Sequence, residues 1–86
     1  MLIPRFTVYT KTSCGWCDDA LDWLNKHEFA YDEVNVSDDA AAFAELLRIS
    51  GQTLCPTLVA DDAVLPDFDT GQLAVFFKEH GWLAAA

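Results

Sequence analysis

Hydrophobic and polar positions alternate from Arg5 to Thr10, with Phe6 and Val8 on one side and Arg5 and Thr7 on the other. A period of two predicts a β-strand with one buried face. The period then changes. Cys17, Ala20, Leu21 and Leu24 recur at helical spacing, the stripe of a helix that ends near His27-Glu28. Tyr31 to Val36 reads as a second strand with Val34 and Val36 inward. Ser37 is the expected cap of a second helix, with Phe43, Leu46, Leu47 and Ser50 sharing a face and Gly51 as its stop. Pro56 opens a third strand, Thr57 to Ala60, and Asp61-Asp62 turns into a short fourth, Ala63 to Leu65. Asp69 and Gln72 have the spacing of a capping box. The helix they open is expected to bury Leu73, Phe76 and Phe77 and to end at Gly81, and Ala84 to Ala86 reads as a frayed tail.

The order is β-α-β-α-β-β-α. A right-handed crossover makes the first two strands parallel, and the last hairpin adds an antiparallel pair. The expected architecture is an α/β four-stranded mixed sheet with its three helices covering both faces. With 86 residues and no linker or repeat, residues 1–86 are expected to form a single domain.

Charge and cysteine usage narrow the partners. A net charge of −9 argues against nucleic acid or an anionic membrane surface, because phosphate binding needs clustered Lys and Arg. No stretch reaches membrane-spanning length, and the start lacks a signal-peptide pattern. Three cysteines do not make a secreted disulfide framework, so a reducing cytoplasmic setting is expected.

Two of those cysteines carry the chemistry. Cys14-Gly15-Trp16-Cys17 lies between the first strand and the first helix. Cys14 is thereby placed at a helix N-terminus, where free backbone N–H groups and the helix dipole favour an anion. The thiolate is the form of cysteine that attacks disulfides, and the two-residue spacer lets Cys17 reach back to Cys14. Lys11 adds positive charge near the thiol, while Asp18 and Asp19 oppose the thiolate from exposed positions. A closed zinc site needs four ligands, and with only Cys55 near the pair none is expected. His27 and His80 are expected at helix ends, complementing the dipole. Trp23, Phe43, Phe76 and Phe77 read as core; Trp16 reads as partly exposed. Cys55 is either a small buried filler or a thiol able to trap a mixed disulfide.

A strand, a C-x-x-C pair opening a helix and a proline opening a later strand resemble the thioredoxin superfamily plan. The length, Lys11 three positions before the first cysteine, and Gly51-Gln52-Thr53-Leu54-Cys55-Pro56 are similar to glutaredoxin in particular. The resemblance spans nearly the whole chain. It implies a thioredoxin-like fold, a cis bond before Pro56, and a monomeric thiol–disulfide oxidoreductase with Cys14 as nucleophile and Cys17 as resolving thiol. Its substrates would be disulfide-containing or glutathionylated proteins, with electrons supplied by glutathione. By the same resemblance Lys11 and Gln52 would hold the glycine carboxylate of glutathione. The backbone around Cys55 and Pro56 would pair with its cysteine, Asp69 and Thr70 would meet its glutamyl end, and Trp16 would touch substrate.

Three departures from the family pattern bear on that picture. Thr-Val before the proline has become Leu54-Cys55, Gly-Gly before the last helix has become Pro66-Asp67, and the residues after the second cysteine, often basic, are Asp18 and Asp19. Weak glutathione affinity is therefore expected. A thioredoxin-reductase-type donor is one alternative. Another is glutathione-assisted binding of a two-iron, two-sulfur cluster between two subunits, which Gly15 permits sterically.

Overall fold

A computed structural model describes residues 3–83. The described chain runs through β1 (Phe6–Thr10), α1 (Gly15–Lys26), β2 (Tyr31–Asn35), α2 (Ala40–Ser50), β3 (Thr57–Ala60), β4 (Ala63–Pro66) and α3 (Thr70–Glu79). The strands form one sheet in the order β2-β1-β3-β4. β1 and β2 are parallel, in register from Phe6 opposite Tyr31 to Thr10 opposite Asn35. β3 runs antiparallel to both β1 and β4. The element order, the mixed sheet and the three helices are those expected from the hydrophobic pattern. The expected tail, Ala84 to Ala86, lies outside the described residues.

Because β1 lies inside the sheet, both of its faces are covered. Phe6 and Val8 join Ala20, Leu24, Phe68, Leu73 and Phe77 in a core under α1 and α3. Tyr9 points the other way and packs with Val36 and Leu46 beneath α2. The first core is dominated by aromatic rings: Phe77 lies 4.9 Å from Phe6, 4.8 Å from Phe29 and 5.3 Å from both Trp23 and Trp82, centroid to centroid. Such pairs add about 0.5–1.5 kcal/mol each to the burial itself.

Local signals explain most boundaries. The capping box at α3 is present, with Asp69 accepting from the Gln72 N–H and Gln72 reaching back to the Asp69 N–H. His27 and His80 are the C-caps of α1 and α3, and each ring nitrogen lies within hydrogen-bond reach of a last-turn carbonyl, Trp23 and Phe76 respectively. Gly51 ends α2 at φ 72°, a left-handed conformation that glycine adopts without steric cost.

Several expectations for α2 and the aromatic residues are corrected. Asp39, not Ser37, caps α2 through the Ala42 N–H. Ser37 is used elsewhere: its hydroxyl accepts from the Thr12 N–H at 2.8 Å, tying the loop after β2 to the loop before α1. Phe43 and Leu47 are 39% and 49% exposed, so the helix is rotated toward Ala42, Leu46 and Ile49 as its inner side. Trp23 and Phe76 are partly buried at the rim of the aromatic core, which Phe77 fills.

Candidate active site

The chain leaves β1, passes through Lys11 and Thr12, and turns at Ser13, whose φ of 59° is uncommon for a residue with a side chain. That turn delivers Cys14 as the N-cap of α1. Cys14 and Cys17 are joined as a disulfide with their Cα atoms 5.2 Å apart. The Cys14 sulfur also accepts from the Cys17 N–H at 3.2 Å, so sulfur takes the place that a Ser or Asp oxygen usually has at a helix start. The two sulfurs differ in access. Cys14 is half-buried at the surface, whereas Cys17 is 1% exposed and faces the core. Trp16, between them, is 62% exposed, as expected.

Against this pair lies the segment before β3. The Cys55–Pro56 bond is cis, as the family resemblance implies, and Pro56 is buried. The Cys55 carbonyl is 4.0 Å from the Cys14 sulfur. A polar network holds the segment in place. The Gln52 amide donates to Ser50 at 2.9 Å and to Thr57 at 3.1 Å, and its oxygen accepts from the Leu54 N–H at 2.6 Å. The Thr57 hydroxyl in turn donates to the Leu54 carbonyl at 2.9 Å. Both backbone groups of Leu54 are thus consumed internally. Among the described residues, no hydrogen bond engages the Cys55 N–H. The family resemblance gives Gln52 a ligand carboxylate; in this structure its amide nitrogen donates within the loop to Ser50 and Thr57.

The remaining predicted site residues separate into two sides. Lys11 extends over the Phe43 ring, 5.9 Å from its centroid. Asp69 lines a groove of about 190 Å³ with Trp16, Asp67, Phe68 and Gln72. Thr70, expected beside Asp69 at one end of a ligand, opens instead into a different hollow with Asp19, Asp22, Trp23 and Lys26. Asp67 and Phe68 were not read from sequence as site residues, although the loss of Gly-Gly at Pro66-Asp67 was the available signal. Burial pushes the Cys55 thiol up from its ordinary range, with Lys11 opposing and Asp67 adding to the shift. The raised value leaves Cys55 with less thiolate at neutral pH than an ordinary cysteine.

The glutaredoxin family model matches residues 6–65, which include the thiol pair and the cis-proline segment. The chain belongs to the glutaredoxin family. Its chemistry is thiol–disulfide exchange. A glutaredoxin-like protein NrdH from Lactococcus lactis subsp. lactis is 35% identical over 68 residues, spanning 79% of this chain and 93% of that protein. The crystal structure of the thioredoxin-like protein BC3987 superposes with a TM-score of 0.74 at 33% identity, covering 81% of this chain and 96% of the other. The glutaredoxin-like NrdH-redoxin of Escherichia coli, described as having a thioredoxin-like activity profile, gives a TM-score of 0.70 at 26% identity over 95% of this chain and 97% of its own. No helix among the described residues of this glutaredoxin is long and apolar enough to cross a membrane.

Proposed function

We propose that the protein is a dithiol reductase of protein disulfides in which Cys14 attacks and Cys17 resolves. The Cys14 thiolate displaces one sulfur of the partner disulfide, which leaves as a thiolate, and a mixed disulfide forms. Cys17 then attacks the Cys14 sulfur and releases the second partner thiol. Two electrons have passed to the partner, and the Cys14–Cys17 disulfide remains. The observation that carries this reading is the unequal access of the two sulfurs, the outer one beside the Cys55 carbonyl and the inner one 1% exposed behind it.

For the electron donor, the reading is a thioredoxin-reductase-type flavoprotein in a reducing cytoplasm. Three observations support it over glutathione. The Gln52 amide is occupied within the loop. Asp67, standing where the family pattern has Gly-Gly, puts an added carboxylate in the groove that the family resemblance gives to an anionic tripeptide. The E. coli relative is described as thioredoxin-like in activity. Glutathione would have to rely on Lys11, Trp16, Thr70 and the backbone at Cys55 and Pro56. The cluster-carrier alternative fits less well, since its ligands beyond Cys14 would be glutathione, whose expected contact at Gln52 is occupied within the loop.

Turnover of the oxidised protein with NADPH plus thioredoxin reductase, compared with NADPH plus glutathione and glutathione reductase, tests the donor. The expected result is faster NADPH consumption with the flavoprotein alone. Turnover confined to the glutathione system overturns the donor assignment, and no turnover in either system with a disulfide substrate overturns the reductase reading.

A further inference from the structure

We propose that the groove between Trp16 and Asp67 is a specificity subsite for a Lys or Arg side chain of the partner, beside the disulfide that Cys14 attacks. The inference rests on the disulfide-reducing reading and names the partner chemistry that it selects.

The location comes from the fold. Trp16 stands between the two cysteines. Asp67 follows Pro66, which is paired with Thr57, the residue after the cis proline. The Asp67 charge reaches the Cys55 thiol. A polypeptide presenting its disulfide to Cys14 must therefore run past this groove.

The lining points to a cation. Trp23 and Trp82 each pack against other rings of the aromatic core, whereas Trp16 pairs with no other ring among the described residues and leaves 62% of its surface to solvent. Phe68, 3% exposed, closes the groove from below. Asp67 makes no side-chain hydrogen bond or ion pair among the described residues, and the Asp69 side chain is engaged through Oδ1 by the Gln72 N–H at 2.8 Å. Carboxylates alone would be a solvated surface. Placed against an open indole face, they complement a guanidinium or ammonium, which can lie on the ring while its N–H groups meet oxygen. About 190 Å³ admits the end of one long side chain. An acidic side chain would be repelled here and by the net charge of −9. Across the thiol the surface changes character, with Lys11 over Phe43 and a 53% exposed Leu54. The fitting partner segment is thus polarised, basic on the Trp16 side and apolar on the Leu54 side.

The test uses the reduced full chain in single turnover, which removes the electron donor from the measurement. Three disulfide peptides differ only at the residue beside the attacked cysteine, which is Arg, Gln or Glu. The Arg peptide is expected to react faster than the Glu peptide by roughly three- to tenfold at low salt, the scale of an exposed ion pair plus a cation–π contact. The preference should shrink at high salt. Asp67→Asn removes the charge while keeping a residue that tolerates the observed φ of 46°, and should bring the Arg-to-Glu ratio toward one. Trp16→Ala should slow the Arg peptide more than the Gln peptide. Equal rates for all three peptides in the wild type, or a preference undiminished in both variants, overturns the subsite and leaves the reductase reading standing. Failure to reduce even the Gln peptide overturns the reductase reading and the subsite with it.

Discussion

On the α1/α3 face of the sheet, Phe77 meets Phe6, Phe29, Trp23 and Trp82 at 4.8 to 5.3 Å. On the α2 face, the buried residues are Tyr9, Val36 and Leu46, while Phe43 and Leu47 of the same helix stay exposed. The densely packed face carries the helix that bears both cysteines and buries Cys17 in its floor. The thinly packed face carries the loop before β3, which the Gln52 hydrogen bonds hold together with the buried Pro56 ring and Cys55 packed against the Tyr9, Val36 and Leu46 cluster. Exchange chemistry needs its two sulfurs held in fixed relation, and a large aromatic core does that. A partner-contacting segment needs exposed backbone, which apolar packing would bury.

The largest effect should come where the chemistry meets the dense face. Cys14→Ser is expected to reduce disulfide reduction to background, because an alcohol is not ionised at neutral pH. Cys17→Ser should accumulate the mixed disulfide, detectable by intact mass. Faster alkylation of Cys17 than of Cys14 in the reduced protein would reverse the assigned roles. Next, Phe77→Ala should cost about 3–5 kcal/mol in urea unfolding and Phe43→Ala under about 1 kcal/mol. Similar losses at both would erase the difference between the faces. Gln52→Ala, read by the same unfolding experiment, should cost about 1 kcal/mol, since it removes the part-buried hydrogen bonds to Ser50 and Thr57. An unchanged stability would return Gln52 to a purely ligand-facing role.

The smallest effect is at the far end of the sheet. The hydrogen-bonded Arg5 guanidinium, and secondarily its charge, holds the Asp32 carboxyl below its ordinary value of 3.8. A depressed folded value means the contribution is present above that pH and fades as pH falls through the lower folded value. The stability difference between wild type and Asp32→Asn should therefore narrow on acidification below about pH 4. A difference that stays constant across that window would mean the exposed pair is not coupled to folding.

How much of this was legible in sequence depends on which residues are asked. The C-x-x-C pair, Pro56 and the Asp69/Gln72 box are local signals, and each sits where its spacing placed it. Ser37 misled because Ser37-Asp38-Asp39 offers three capping side chains in a row, and the choice was made by a Thr12 N–H twenty-five residues away in sequence. Phe43 and Leu47 misled because an apolar stripe does not state how wide a surface the sheet leaves to be covered. The loop-holding role of Gln52 has no local sequence signal, since its partners, Ser50 and Thr57, converge only after α2 and β3 are in place. The groove beside Trp16 joins residues some fifty positions apart and has no sequence pattern of its own.

One feature of the sheet sets how such a small protein meets other chains. Its outer strands are β2 and β4, and an unguarded outer strand invites further strands to add, the route to self-association. β2 presents Asp32 and Glu33, and β4 is four residues long, ends in Pro66 and is preceded by Asp61 and Asp62. Acidic side chains and a missing N–H discourage strand addition along both margins. Polypeptide backbone that does approach finds its unpaired N–H at Cys55, next to the sulfur that can react with it. The features that guard against clumping thereby also steer encounters toward the thiol.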